Sequence, residues 1–403
     1  MMEDDIMAER NLNFDQVVNR KNTNSLKYDC ALRRGMPEDV LPLWVADMDF
    51  KVSSYIEDAI VGQATHAIYG YSEPGDGYLE ALKQWLYKQH KWKIENEWVI
   101  KTPGIVFALA LAVKAFTKEN DAVLIQQPVY YPFSEVILDN NRRLISNTLI
   151  QNEDGTYEID FEDFENKIQK EKIKLFFLCN PHNPVGRVWT KEELLKIGEI
   201  CKQYNVIVVS DEIHSDFVFR GKHEVFANLT KDFASFTITC TSPSKTFNIA
   251  GLQVSNIIIS NATLRRQLRI QLAASGYSQL NSVGLVACEA AYRYGEEWYL
   301  AVKQYIKSNI EFVKDYIKKY LKDLKMIEPE GTYLVWIDFR ALNLSAAKLD
   351  DLIINKAGIW LDSGRIFSKA GEGFQRINVA CPRTILEEAL NRIRFAIYDS
   401  SET

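Results

Sequence analysis

Three short segments of the 403-residue chain carry residue types that can do chemistry, and each follows an apolar run of strand character. Asn180-Pro181-His182-Asn183-Pro184-Val185-Gly186 follows residues 174–179. Two prolines and a glycine stop the strand and fix a rigid loop, which holds an amide side chain at little entropic cost. Ser210-Asp211-Glu212-Ile213-His214 ends the run 206–209. A carboxylate behind four apolar residues is costly unless something pairs with it, and a protonated heterocycle nitrogen is one such partner. Thr241-Ser242-Pro243-Ser244-Lys245-Thr246-Phe247 follows residues 236–240. A lysine of lowered pKa can attack a carbonyl, and hydroxyls and backbone N–H groups around it can hold a phosphate. Taken singly, these segments also read as a turn, a helix cap and a surface charge. Taken together, Asn183, Asp211 and Lys245 follow three separate strands in order, each at the C-terminal end, where ligands gather in open α/β sheets.

Such positions need a scaffold. Residues 122–127, 174–179, 206–210, 236–240 and 254–260 read as strands. Residues 190–204 fit a helix between two of them, with Thr190 as N-cap and Glu193 completing a capping box. Repeated strand–helix–strand units predict a mostly parallel sheet covered by helices. From about Glu296 the pattern changes. Residues 299–320 read as a long helix, 331–339 and 375–380 as strands, and 384–398 as a final helix, which is a smaller α+β domain. The expected division is an N-terminal arm with part of the small domain over 1–58, a large domain over 59–295 and the small C-terminal domain over 296–403.

Composition narrows the function classes. A net charge of -6, with basic pairs scattered rather than striped, argues against nucleic acid as a partner. Six cysteines without a C-x-x-C pair read as reduced, buried thiols, and five histidines without H-E-x-x-H spacing give no metal site. Met1 to Arg10 is acidic and lacks the apolar core of a secretory signal. The apolar stretch 108–115 contains Lys114 and is too short to span a bilayer, so no membrane association is expected and cytoplasm is the default location.

The ordered segments resemble a known family. With Val45-Ala46-Asp47-Met48-Asp49-Phe50, Tyr69-Gly70-Tyr71-Ser72, Ser210-Asp211-Glu212-Ile213-His214-Ser215-Asp216 and Asn378-Val379-Ala380-Cys381-Pro382-Arg383, the chain resembles fold-type I pyridoxal-phosphate enzymes of the aminotransferase class I/II superfamily. More narrowly, it is similar to the MalY/PatB cystathionine β-lyase, or C–S lyase, branch. The resemblance implies an α/β large domain with a mostly parallel seven-stranded sheet, and pyridoxal 5'-phosphate as cofactor. It implies that Lys245 holds the cofactor as a Schiff base and moves the Cα proton, that Asp211 partners the pyridinium nitrogen, and that Asn183 bonds the phenolic oxygen. Tyr130 would stack on the ring, and His214 would lie against the cofactor. Gly104, Ile105 and Val106 would cradle the phosphate at a helix N-terminus, with Ser242 adding a hydroxyl. Arg376 would grip the substrate α-carboxylate as a fork, with Ala46 and Asn183 beside it. Tyr71 would reach the phosphate of a neighbouring subunit, which makes the expected assembly a homodimer with its site at the interface.

Two departures orient the reading within the superfamily. Many class I aminotransferases place an arginine eight residues after the lysine and a tyrosine three after the aspartate; here these positions are Gln253 and His214. The lyase branch resembles the chain at both. The implied activity is therefore β-elimination from L-cystathionine, cysteine or S-substituted cysteines, giving a thiol such as homocysteine, pyruvate and ammonia. Aminotransfer, or a lyase with an added gene-regulatory binding role, is the alternative.

Overall fold

The computed structural model describes residues 9–398, so residues 1–8 of the expected non-secretory terminus and 399–403 of the last expected domain lie outside the described residues. Seven strands form the main sheet: β1 (Val99–Thr102), β2 (Ala122–Gln127), β3 (Arg143–Thr148), β4 (Leu175–Cys179), β5 (Ile207–Asp211), β6 (Thr237–Thr241) and β7 (Ser255–Ile258). Their order across the sheet is β1-β7-β6-β5-β4-β2-β3. β2 to β6 pair in parallel with their neighbours, while β7 runs antiparallel to both β1 and β6, so β1 points the same way as the rest.

Strand β4 shows why these runs are apolar throughout. All five of its residues are buried. Phe176 and Leu178 pack with Phe164, Leu194 and Ile197 on one face, while Phe177 and Cys179 pack with Leu109 and Phe133 on the other. A strand covered by helices on both faces has no solvent side, so alternation disappears. Burying each such side chain contributes about 1.5–3 kcal/mol. The helix Lys191–Gln203 carries the expected capping box: Glu193 N–H donates to Thr190 Oγ1 at 3.2 Å, and Thr190 N–H donates to the Glu193 carboxylate at 2.7 Å.

A second sheet lies later in the chain. It is antiparallel, with β8 (Lys325–Ile327), β9 (Leu334–Asp338), β10 (Asp362–Ser363) and β11 (Phe374–Asn378) in the order β8-β9-β11-β10. The long helix is Glu296–Tyr320, starting before the expected 299, because Glu296 and Glu297 form an acidic first turn that suits a helix N-terminus. The strand expected over 331–339 is only Leu334–Asp338. Gly331 bridges to Val218 and Thr332 has φ +67°, which turns the chain before the strand begins. Leu41–Pro42 pairs in parallel with Ile359–Trp360, tying the N-terminal arm to the later sheet region. Among the described residues, no helix is long and apolar enough to cross a membrane.

Candidate active site

The parallel strands deliver the site. β1, β2, β4, β5 and β6 end on the same edge of the sheet, and the segments leaving them carry Gly104, Tyr130, Asn183, Asp211 and Lys245. All five line one cavity, together with Ala46, Ile105, Val106, His214 and Arg376. Ten of the twelve residues singled out in the sequence thus meet in one place. Ser242 and Tyr71 do not line it.

Lys245 sits on the short turn Pro243–Thr246, and its Nζ donates to the Ala46 carbonyl at 2.5 Å. Burial lowers its pKa to about 8, partly countered by the Asp47 and Asp211 charges. The carbonyl that receives it belongs to a tightly held strap. Asn378 Nδ2 donates to the carbonyls of Val45 and Asp47, Asn248 Nδ2 to those of Met48 and Phe50, and Tyr333 to that of Ala46. The turn is also held from below. Asp216, on the segment after β5, accepts from Thr246 Oγ1 at 2.7 Å and Trp85 Nε1 at 3.2 Å, and pairs with His90 Nε2 at 2.9 Å.

Asp211 is 5% exposed and has no cation within ion-pairing distance among the described residues. Its Oδ1 accepts one weak bond, from Ile213 N–H at 3.2 Å. Burial raises its pKa to about 7. Its neighbour Glu212 is committed elsewhere, accepting from Ser210 Oγ and Phe226 N–H and pairing with His223. His214 packs edge-on against Tyr333, its Nδ1 is buried without a partner, and burial lowers its pKa to about 3, so the ring is neutral.

Asn183 is fixed by the loop after β4. Gly186 closes that loop at φ +75°, and a Cβ there would come within 2.9 Å of the Pro329 backbone, so only glycine fits without displacement. Asn183 Oδ1 accepts from Arg376 Nη1 at 2.8 Å, and its Nδ2 has no partner among the described residues. Arg376 Nη2 donates to the Trp44 carbonyl at 3.0 Å and to Asp362, and Phe367 lies under the guanidinium at 4.9 Å. Arg376 Nε is buried with no partner among the described residues.

The helix Ile105–Phe116 opens at the cavity with no side-chain cap. Ala108 N–H bonds the Gly104 carbonyl, but the N–H groups of Ile105, Val106 and Phe107 have no partner among the described residues. A Cβ on Gly104 would meet nothing within 4 Å. Ser242, expected to supply a phosphate hydroxyl, spends its Oγ as the cap of the Lys245 turn, on Val254 O at 2.6 Å and Ser244 at 2.5 Å; Ser244 lines the cavity instead. Tyr71 is 98% exposed, away from its own cavity. Trp44, Tyr131 and Asp362 line the cavity without having been singled out. Asp362 had no local signal, because it meets Arg376 only through the β10–β11 register.

The chain is similar to known proteins over nearly its whole length. The family model for aminotransferase class I and II matches residues 40–393. The chain is 42% identical to the cystathionine beta-lyase PatB of Bacillus subtilis (strain 168), covering 96% of this chain and 100% of that one. It is 31% identical to the protein MalY of Escherichia coli (strain K12), covering 94% and 96%. The crystal structure of cystalysin from Treponema denticola, which contains pyridoxal 5'-phosphate, superposes with a TM-score of 0.93 at 38% identity, covering 96% of this chain and 99% of that one.

Proposed function

The chain belongs to the class I and II aminotransferase family, and from that premise we propose that it is a pyridoxal-phosphate-dependent carbon–sulfur β-lyase of the MalY/PatB branch. The overall reaction is L-cystathionine plus water to homocysteine, pyruvate and ammonia, with cysteine and S-substituted cysteines as further substrates. The observation that carries the reading is the pairing, in one cavity, of an amine of lowered pKa with a buried carboxylate that has no cation.

The residues present fit the cofactor. Asp211 offers an unpaired carboxylate to a protonated ring nitrogen. Three free N–H groups at a helix N-terminus, with open space over Gly104, suit a phosphate dianion. Asn183 Nδ2 is free for the phenolic oxygen, Tyr130 supplies a ring face at the cavity wall, and neutral His214 packs beside them. Pyridoxal phosphate, when bound, supplies an electron sink that acidifies the Cα–H of an attached amino acid.

The protein's own groups do the rest. Arg376, held by Asn183 and Asp362, presents a pre-oriented guanidinium to the substrate α-carboxylate. Ala46 fixes Lys245 Nζ, and an amine whose pKa lies near 8 can take a proton at Cα and return it near neutral pH. The sulfur then leaves Cβ with the C–S electron pair and takes the proton that Lys245 removed from Cα, so it departs as the thiol.

Three finer features belong to the same proposal. The division into 1–58, 59–295 and 296–403 is supported by the two sheets falling on either side of 295 and by the Leu41–Pro42 pairing with Ile359–Trp360. A homodimer in which Tyr71 completes the partner's phosphate site is supported by its exposure. The enzyme acts in the cytoplasm, with its cysteines as free thiols. The activity test is incubation with L-cystathionine and pyridoxal phosphate, without a keto acid. Pyruvate and homocysteine in equal amounts are expected. Amino transfer that depends on a keto acid, with no pyruvate, would overturn the lyase reading.

A further inference from the structure

The lyase reading leaves open what the departing sulfur carries. Beyond Arg376, the cavity is lined by Trp44 and Tyr131. Trp44 is 6% exposed and stacks on Trp360 with ring centroids 4.3 Å apart. Its indole Nε1 is buried and has no hydrogen-bond partner among the described residues. An unmet buried donor is costly, and a ligand acceptor removes that cost.

Against the same indole lies a second guanidinium. The Arg34 side chain is exposed, and its Cζ sits 5.1 Å from the Trp44 ring centroid. It follows a short turn, Leu32–Arg34, closed by Gly35 at φ +74°. Stacking restrains the guanidinium while leaving its edge N–H groups free to bond an anion, and no ion pair among the described residues occupies them. The Tyr131 phenol lies within electrostatic reach of both Arg34 and Arg376. Arg376 lines the cavity directly, and Arg34 borders it through the Trp44 ring on which it stacks. Arg376 is fixed by Asp362 and Asn183, and Arg34 has no such counter-charge.

We propose that Arg34, with Trp44 Nε1 and Tyr131, forms an outer subsite for a carboxylate on the leaving thiol. The enzyme then prefers S-substituted cysteines whose thiol part carries a carboxylate, as the zwitterionic homocysteine part of L-cystathionine does, over cysteine and S-alkyl cysteines. This inference rests on the lyase reading. Arg376 takes the α-carboxylate and Arg34 the distal one, so substrate length is read between two positive ends.

The test compares the holoenzyme with Arg34→Met, which keeps an apolar stem over the indole, and Arg34→Lys, which keeps the charge. Pyruvate release is measured from L-cystathionine and from S-methyl-L-cysteine. Arg34→Met is expected to raise KM for L-cystathionine about tenfold or more, as loss of a charge-assisted bond does. The kcat and the KM for S-methyl-L-cysteine stay within about twofold, and Arg34→Lys recovers part of the loss. Added salt should raise KM for L-cystathionine in the unaltered enzyme and not in Arg34→Met. An unchanged ratio of the two substrates in Arg34→Met, or an equal loss on both, overturns the subsite and leaves the lyase reading standing. No pyruvate from either substrate with the unaltered enzyme overturns both.

Discussion

Asp49 and Asp211 are buried almost equally, at 3% and 5% exposed, yet their surroundings are opposite. Asp49 is clamped by Lys27 Nζ at 2.8 Å and Arg20 Nη1 at 2.7 Å, and Asp47 shares both cations. Asp211 has one weak backbone bond and no cation within ion-pairing distance among the described residues. Every charge in the first region is met from within the chain, so that region is architecture: it anchors the strap whose Ala46 carbonyl holds Lys245. The second region spends folding free energy on a carboxylate that no cation among the described residues pairs with directly. The same contrast separates Arg376, held by Asp362, from Arg34, which stacks on Trp44 without a counter-charge. The cavity thus holds groups that the fold leaves unmet, Asp211 among them, whereas the Asp47–Asp49 cluster is fully paired.

The largest expected effect is at the centre of that cavity. Lys245→Ala should cut pyruvate release by about 10³-fold or more, since the group is both attachment point and proton carrier. Turnover within about tenfold of the unaltered enzyme would move the reacting amine elsewhere. The architectural side is probed by Asp49→Asn. It leaves fully buried Lys27 facing only Asp47, and should cost about 3 kcal/mol in denaturant unfolding, the low end for breaking a buried pair. A cost below about 1 kcal/mol would dissolve the distinction between the two carboxylates.

Smaller effects sharpen it. Thr246→Val removes the hydroxyl that ties the Lys245 turn to Asp216, and should lower kcat about tenfold with KM little changed. Thr246→Ser should restore kcat; equal losses in the two variants would assign the effect to packing. In cofactor-free protein, Lys245 is protonated below about pH 8 and neutral above it. Its labelling by an amine-selective reagent should therefore rise about tenfold per pH unit up to that value and then level off. A plateau delayed to the ordinary lysine range would show that burial does not lower this pKa.

Much of this was legible because the chemistry sits at ends of strongly apolar strands. A run such as Leu175–Cys179 declares itself, and Asn183, Asp211 and Lys245 stand out after such runs. The edge strand β3 did not, because its sequence Arg-Leu-Ile-Ser-Asn-Thr alternates little and is half exposed. β1 has only four residues, one of them Lys101, and the antiparallel direction of β7 leaves no mark on its composition. Ser242 is prominent in its motif, but its hydroxyl caps the turn, and Ser244 faces the cavity. The pairing of His90 with Asp216, and of Arg376 with Asp362, depends on chain segments brought together only by the fold. Trp44 and Arg34 likewise gain meaning from the cavity they border.

The central claim, that Asp211 is held unpaired for the cofactor, is tested most directly by Asp211→Asn at pH 8. In the native protein this carboxyl keeps its proton up to about pH 7, whereas in the unfolded chain it loses it near the ordinary aspartate value. Cofactor-free protein is therefore penalised as pH rises between those values, by at most about 4 kcal/mol once above both. The neutral amide removes that penalty. Melting and pyridoxal-phosphate titration of the cofactor-free proteins should then move in opposite directions: Asp211→Asn melts higher by several degrees and binds the cofactor more weakly. A variant that melts lower and binds the cofactor as tightly as the unaltered protein would contradict the account.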